Sequence, residues 1–197
     1  LSNVDAANLQ NHHIQITAAT ADCADVEIQN IHFGPCIGDA VRVAGSATNN
    51  VVNGRAHHVT MRTGGHQLSP NSGSRSGISF QKGLKNFELG NFYIHGAKNS
   101  PIDCEPTGAG AMTGLNIHDG VVDNTGGSTA IAISFDGYDS TSLLADSRIS
   151  NVNVIEGVVQ VVFTENCTLD NVNIYASGQY AMAGKTDPLL YVAQLNQ

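Results

Sequence analysis

The stretch Ile149-Ser-Asn-Val-Asn-Val154 is followed by a close copy of itself, Leu169-Asp-Asn-Val-Asn-Ile174. Both follow the pattern aliphatic-x-polar-aliphatic-x-aliphatic. The last three positions alternate in the way expected of a short strand with one buried face. Looser copies occupy residues 28–33, 56–61, 89–94 and 117–122, and a weaker leading copy surrounds Ile14 and Ile16. The chain is therefore predicted to be built from repeats of irregular length.

A second short alternating segment follows most copies at a distance of about ten residues. These segments are residues 40–43, 77–80, 101–104 and 130–133, with rougher equivalents at 158–163 and 179–182. Two or three short strands per repeat, joined by turns rich in Gly, Asn and Ser, predict a solenoid whose faces are parallel sheets. Residues 142–146 are the one stretch in which we expect a helical turn.

The position before the central aliphatic residue of each copy is polar. Reading along the chain, it holds His13, Asn30, His58, Asn91, Asp119, Asn151 and Asn171. Strands in stacked repeats lie about 4.8 Å apart, so these side chains are predicted to form a column. Asn and Asp tolerate tight-turn backbone, and their side chains can hydrogen-bond to neighbours above and below. We therefore predict a structural ladder formed by Asn30, Asn91, Asp119, Asn151 and Asn171.

These copies and their polar column resemble the right-handed parallel β-helix of the pectin-lyase-like superfamily over residues 10–182. The resemblance implies an all-β, single-stranded solenoid of about seven rungs. Low charge and abundant Asn, Gly, Ser and Thr make viral tailspike and tail-fibre domains the most similar members. A β-sandwich is the alternative, but it predicts no column of Asn. We expect residues 1–197 to form one domain of a longer chain, with a surface loop at residues 63–75.

Composition excludes several classes of protein. The 197 residues carry a net charge of −8 and only 13% are charged, whereas 41% are hydrophobic. This balance disfavours nucleic-acid partners and anionic membranes, which require Lys/Arg patches. No apolar run is long enough for membrane insertion. The four cysteines lack zinc-binding spacing, so we expect no metal and no cofactor, while a bridge between Cys23 and Cys36 stays open beside buried free thiols.

The first candidate site lies on the outer face of the repeated strand. Three positions after the central aliphatic residue, successive copies place Arg62, His95 and Asp123 in one column, and Thr60 and Tyr93 stand beside them. Asp123 is placed to orient His95 for acid–base catalysis, Arg62 to hold a substrate carboxylate, and Tyr93 to stack on a sugar. The alternative is a solvated polar surface with paired charges.

The second candidate site is the outward pair Asp103 and Glu105. Same-face residues two apart on a strand are separated by about 6.5–7 Å, between the carboxylate spacings of retaining and inverting glycosidases. Arg42 is predicted two rungs away. The predicted neighbours in the adjacent rungs are Ser79 and Gln81 on one side and Ala132 and Ser134 on the other. The alternative is again an ordinary acidic surface at a strand end.

Catalytic motifs of enzymes with the resembled fold are missing. Polygalacturonases use a Gly-His-Gly and an Arg-Ile-Lys, but here Gly65-His66 is followed by Gln67 and Arg148-Ile149 by Ser150. We therefore transfer no catalytic residue from the family. The pairs at residues 12–13 and 57–58 are both histidines, and two rungs separate them in the predicted stack, which favours a structural role over metal binding.

Two functions remain open at this stage. The first is a surface adhesion or structural module, plausibly of a phage or virus tail, that recognises a polysaccharide through Tyr93, Thr60, Arg42 and Tyr175. The second is a polysaccharide lyase or glycoside hydrolase that uses one of the two candidate sites. The open ends of a β-helix must be covered, so we expect a homotrimer or further segments of the same chain. An extracellular or virion-surface location follows from the resemblance.

Overall fold

A computed structural model describes the chain over residues 2–6, 14–34, 38–62, 76–97, 99–104, 111–125, 131–139, 142–175, 179–183, 190–192 and 195–196. Within these ranges the protein is all-β, and no helix occurs. The predicted loop at residues 63–75 lies outside the described residues.

Short and long strands alternate along the chain. The first group is β1 (Ser2–Ala6), β2 (Ile14–Thr17), β3 (Cys23–Ala24), β4 (Glu27–Phe33), β5 (Val41–Ala44), β6 (Val51–Arg62), β7 (Ile78–Phe80), β8 (Leu84–His95), β9 (Ile102–Cys104) and β10 (Met112–Asp123). The second group is β11 (Ile131–Asp136), β12 (Leu144–Ala145), β13 (Arg148–Ile155), β14 (Val158–Val162), β15 (Thr164–Glu165), β16 (Cys167–Tyr175), β17 (Gln179–Ala183), β18 (Leu190–Val192) and β19 (Leu195–Asn196).

The strands form two parallel sheets. The larger sheet runs in the order β1-β4-β6-β8-β10-β13-β16-β18, with β3, β12, β15 and β19 attached to it. The smaller sheet runs in the order β17-β14-β11-β9-β7-β5-β2. Each strand pairs with the equivalent strand of the next repeat, which is consistent with the predicted β-solenoid. We call each repeat a rung.

The long strands bend sharply because single residues in them adopt the left-handed conformation. In the ladder position this residue is Asn30, His58, Asn91, Asp119, Asn151 or Asn171, with φ between 51° and 55°. Asn and Asp are the non-glycine residues that visit this region most readily. The bend divides the outer surface of the large sheet into separate faces.

Hydrogen bonds between rungs confirm part of the predicted ladder. The Nδ2 group of Asn151 donates to Asp119 Oδ1 at 3.0 Å, and that of Asn171 donates to Asn151 Oδ1 at 2.9 Å. The ladder therefore satisfies two requirements with one residue type, since the same side chain permits the bend and links adjacent rungs.

A second bend lies five residues before the first and was missed in the sequence. It holds Asp25, Asn53, Asn86, Gly114, Asp146 and Asn166, with φ between 49° and 70°. Asn86 Nδ2 donates to Asn53 Oδ1 at 3.4 Å, and Asn166 Nδ2 donates to Asp146 Oδ1 at 3.2 Å. The signal was present, because every one of these positions is Asn, Asp or Gly.

The core lies between the sheets and fits large residues against small ones in neighbouring rungs. A Cβ atom on Gly120 would lie 2.2 Å from Cζ of Phe92, and one on Gly54 would lie 2.3 Å from the ring of Phe87. Both phenylalanines are almost fully buried. The two glycines therefore leave the space that each aromatic ring of the next rung occupies.

The leading copy of the repeat was placed wrongly. Ile14 and Ile16 lie in β2, which pairs with β5 in the smaller sheet. The copy that precedes β4 is β1, where Val4 lies opposite Ile31. The error arose because a four-residue alternating strand looks the same in either sheet, and only its pairing tells them apart. His13, assigned to the ladder on that basis, lies outside the described residues.

Two further details differ from the prediction. Ile133, rather than Ile131, lies opposite Ile102, because the register of β11 shifts between Ile131 and Ile133 where it pairs with β14. Residues 142–146 form no helical turn, since Leu144 and Ala145 make the short strand β12. In both cases the tertiary pairing overrides a local pattern of only a few residues.

The cysteines and the hydrophobic pattern agree with the sequence in other respects. Cys104 and Cys167 are buried free thiols, and Cys23 is a half-buried free thiol, so the bridge to Cys36 that the sequence left open is not formed. Burial raises the pKa of Cys167 to about 11. In the part of the chain that the structure describes, no helix has the length and apolarity to span a membrane.

We predict that Gly120→Val destabilises the fold by about 1–3 kcal/mol, because the new side chain overlaps the ring of Phe92. Urea unfolding followed by circular dichroism measures this change. The control is Val121→Ala on the outer side of the same strand, which is expected to change the free energy of unfolding by at most about 0.5 kcal/mol. Equal stability of the two variants would contradict the packing argument.

We predict that Asn151→Ala costs about 1–3 kcal/mol of unfolding free energy. Alanine pays the penalty of the left-handed backbone and loses the hydrogen bonds to Asp119 and Asn171. Asn151→Gly removes the same hydrogen bonds but tolerates the bend, so it should lose less stability. An alanine variant as stable as the glycine variant would show that the bend imposes no constraint.

Candidate functional site

The bends set apart an outer face formed by the strand segments that follow the ladder. Its first column contains Thr60, Tyr93, Val121, Asn153 and Asn173, and its second contains Arg62, His95, Asp123, Ile155 and Tyr175. The predicted register of Arg62, His95 and Asp123 is therefore present. We call this surface the ladder-side face.

Asp123 lies at the centre of the first candidate site. Its Oδ2 atom is 3.1 Å from His95 Nδ1 and accepts a hydrogen bond from the Tyr93 hydroxyl at 3.4 Å. The rings of Tyr93 and His95 are nearly parallel, with centroids 6.4 Å apart. Arg62 lies over the Tyr93 ring, 5.5 Å from its centroid. The fold therefore brings together all four residues, and the guanidinium occupies one face of the ring that was expected to stack on a sugar.

The electrostatics of this site keep Asp123 ionised. Burial raises the pKa of its carboxyl group, but hydrogen bonds from the hydroxyl and amide groups of Thr125 and the nearby His95 outweigh burial and hold the pKa below its usual value. The amide nitrogen of Thr125 is 3.0 Å from Asp123 Oδ1. An ionised carboxylate beside an imidazole can orient the ring and stabilise its protonated form.

A shallow groove of about 440 Å³ runs along the ladder-side face beside the ladder. Its polar lining consists of Thr60, Asn91, Asp119, Asn151 and Asn153. Amide, carboxylate and hydroxyl groups recur along it at the spacing of the rungs, about 4.8 Å. Such a surface offers many hydrogen-bond donors and acceptors and little apolar area.

Tyr175 stands at one end of the ladder-side face. It is 52% exposed, which makes it one of two large exposed hydrophobic side chains among the described residues. Its hydroxyl group donates to Asn153 Oδ1 at 3.4 Å, and Asn173 Nδ2 donates to the same oxygen at 3.0 Å. The ring is thus held in place at its polar end while its apolar surface stays open.

The second candidate site is only partly visible. Asp103 lies opposite Ser79 and accepts a hydrogen bond from Ser76 Oγ at 3.3 Å, whereas Glu105 lies outside the described residues. Arg42, two rungs away, donates to Gln81 Oε1 at 2.7 Å. These contacts keep Asp103 on a polar outer face, as expected, and the predicted carboxylate pair stays a prediction.

The neighbours of Asp103 on the other side were predicted wrongly. Because of the shift in β11, Asp103 lies opposite Ser134 instead of Ala132. Ser134 donates to Asp136 Oδ2 at 2.7 Å, and Gln160 Nε2 donates to the same oxygen at 2.6 Å. Asp136 is buried. No local pattern marked this carboxylate, since its position depends on a bulge.

A third cluster on the outer surface joins three rungs between the two bends. His118 Nε2 lies 2.7 Å from Glu88 Oε1, and His57 Nε2 lies 3.3 Å from the same oxygen. Burial lowers the pKa of His118, but its hydrogen bonds to Asp119 and Glu88 raise it overall. The hydrogen bond from His118 lowers the pKa of Glu88. The sequence did not indicate this cluster.

No protein-family model matches the sequence, and no curated protein or solved structure is significantly similar to it. The arguments for function therefore come from the geometry of the ladder-side face and of the clusters beside it.

We predict that Asp123 makes the fold sensitive to acid. Its folded pKa is lowered, so the stability it contributes is present above its unfolded pKa, about 3.9, and is lost as the pH falls through the folded value. Acid unfolding of Asp123→Asn should show a shallower loss over this range than the wild type.

Thr125→Ala provides the matched variant for this prediction. It removes the hydroxyl group but keeps the amide hydrogen bond, so the pKa of Asp123 should rise toward its usual value. The carboxyl carbon shift of Asp123, followed by NMR during an acid titration, measures this directly. An unchanged titration curve would contradict the role assigned to Thr125.

Proposed function

We propose that the protein is a surface adhesion or structural module that recognises a polysaccharide along the ladder-side face. The groove beside the ladder carries this proposal, because it presents a regular row of amide, carboxylate and hydroxyl groups on a rigid scaffold. An extended glycan offers a row of hydroxyl groups that both donate and accept hydrogen bonds. Parallel strands hold the protein groups in a fixed spacing, which limits the entropy lost on binding.

Aromatic and charged groups flank the groove and support the same proposal. The exposed ring of Tyr175 offers a flat apolar surface to a sugar ring, and its position is fixed by its contact with Asn153. Arg62 is exposed at the opposite part of the face, above Tyr93. A guanidinium beside a polar groove suits a glycan that carries carboxylate groups.

The fold and its resemblance suggest the biological setting. We propose a right-handed parallel β-helix of about seven rungs, similar to those of the pectin-lyase-like superfamily and most like viral tailspike or tail-fibre domains. In that setting the chain is part of a homotrimer or of a longer protein on a virion surface or outside the cell. The two parallel sheets and the inter-rung Asn hydrogen bonds are compatible with this proposal.

Affinity electrophoresis against a panel of bacterial and algal polysaccharides tests the binding function. We expect retardation by at least one of them, and Tyr175→Ala should weaken it about tenfold, since aromatic contacts contribute about 1 kcal/mol. The matched control is Tyr138→Ala, because Tyr138 is equally exposed at 51% but lies beyond the ladder-side face. Equal losses in both variants, or no retardation at all, would contradict the proposal.

A second candidate function, polysaccharide cleavage, is favoured by one observation. Asp123 contacts both the His95 ring and the Tyr93 hydroxyl, which is an arrangement able to exchange protons with a bound substrate. New reducing ends would reveal cleavage, and absorbance of unsaturated uronates would separate a lyase from a hydrolase. Turnover that His95→Ala abolishes would establish the enzyme, whereas binding without turnover would leave the adhesion module.

A further inference from the structure

Three side chains from three successive rungs converge on the outer surface between the two bends. His57 in β6 and His118 in β10 both lie opposite Gly90 of β8, and Glu88 stands two residues before that glycine. One ligand-type atom from each of the three side chains lies within 4.8 Å of the other two. The two imidazoles and the carboxylate therefore point to a common position above Gly90.

Gly90 makes this convergence possible. The strands that carry the two histidines are two rungs apart, about 9.6 Å, so the rings can meet only by leaning over the middle strand. A Cβ atom at position 90 would lie 2.7 Å from Cε1 and 2.9 Å from Nε2 of His118. The φ angle of Gly90 is not in the positive region that demands glycine. The glycine is needed here for space alone.

The ring nitrogens are oriented for a ligand. His118 Nδ1 lies 2.7 Å from Asp119 Oδ2, and a carboxylate on the far nitrogen of a histidine is the arrangement that orients metal-binding imidazoles and raises their basicity. His57 Nε2 is shielded from solvent and makes no aligned hydrogen bond within the described part of the chain, although Glu88 Oε1 is 3.3 Å away. That nitrogen has a lone pair to offer.

We propose that His57, Glu88 and His118 form a binding site for a divalent transition-metal ion of the zinc class. Two imidazoles and one carboxylate suit zinc and its neighbours, and three protein ligands leave a fourth position open. With metal–ligand distances of about 2.0–2.2 Å, tetrahedral ligands lie about 3.3 Å apart. The separations of Glu88 Oε1 from the two histidines, 2.7 and 3.3 Å, are close to this value.

The proposal departs from the sequence-based expectation of no metal. Metal sites are recognised in sequences by short spacings between ligands, and here the ligands are separated by 31 residues (88 − 57) and 30 residues (118 − 88). Those separations are the lengths of two rungs. Only the stacking of the rungs turns these distant residues into neighbours.

Titration of the purified, metal-free chain with Zn²⁺ in competition with a chromophoric chelator tests the proposal. We expect one tight site per chain, and Co²⁺ in the same site should give the intense visible absorption of tetrahedral coordination. Glu88→Gln, which is nearly isosteric, and Gly90→Ala, which keeps all three ligands but crowds His118, should each abolish the tight site. Asp119→Asn should weaken it about 10–100-fold, since it removes only the orienting carboxylate.

The matched control is His58→Asn. It removes a histidine adjacent in sequence to His57, whose ring lies 6.4 Å away, and Asn tolerates the bend at this position. Tight binding should persist in this variant. Absence of saturable binding by the wild type would overturn the proposal, and so would tight binding that survives in His57→Ala/His118→Ala, because it would come from other histidines of the chain.

Thermal unfolding separates metal binding from loss of structure. Zn²⁺ should raise the melting temperature of the wild type and of His58→Asn, because it binds only the folded chain, and should leave Glu88→Gln unchanged. Far-ultraviolet circular dichroism of each metal-free variant shows whether it is folded. Should His118→Ala fail to fold, Glu88→Gln and Gly90→Ala still decide the question.

Discussion

The whole architecture depends on residues that accept a left-handed backbone at two points in every rung. A parallel strand that continued straight could not return to stack on itself, and the bends at the ladder and five residues before it provide the change of direction. Asn and Asp accept this backbone at low cost and also hydrogen-bond to the next rung. Where glycine takes the position, as at Gly114, the backbone is satisfied without that link.

The bends also decide where chemistry can lie. Inward positions are filled by aliphatic and aromatic side chains, with Gly54 and Gly120 making room for the rings of the next rung. Polar groups are therefore confined to the outer faces between bends. On each face a side chain has its nearest partners in other rungs, so every candidate site is built from residues about one repeat apart in sequence.

Asp119 illustrates how the structural and functional features meet. Its backbone forms a ladder bend, its Oδ1 atom accepts the hydrogen bond from Asn151, and its Oδ2 atom contacts His118. The same side chain lines the groove on the ladder-side face. A change in the ladder would therefore reach both the proposed glycan groove and the histidine cluster, because a single carboxylate is shared among them.

Local patterns were sufficient to predict the repeats, the parallel sheets, the ladder and the column of Arg62, His95 and Asp123, because alternation and a left-handed turn residue are properties of a few neighbouring residues. They were insufficient for Ile14, whose strand could belong to either sheet, and for Ser134, which a bulge moved opposite Asp103. The cluster of His57, Glu88 and His118 was also invisible, since its spacing equals the rung length. The sequence by itself determined which residues bend and which are buried, whereas only the tertiary structure decided which distant side chains meet, because that depends on the register between rungs.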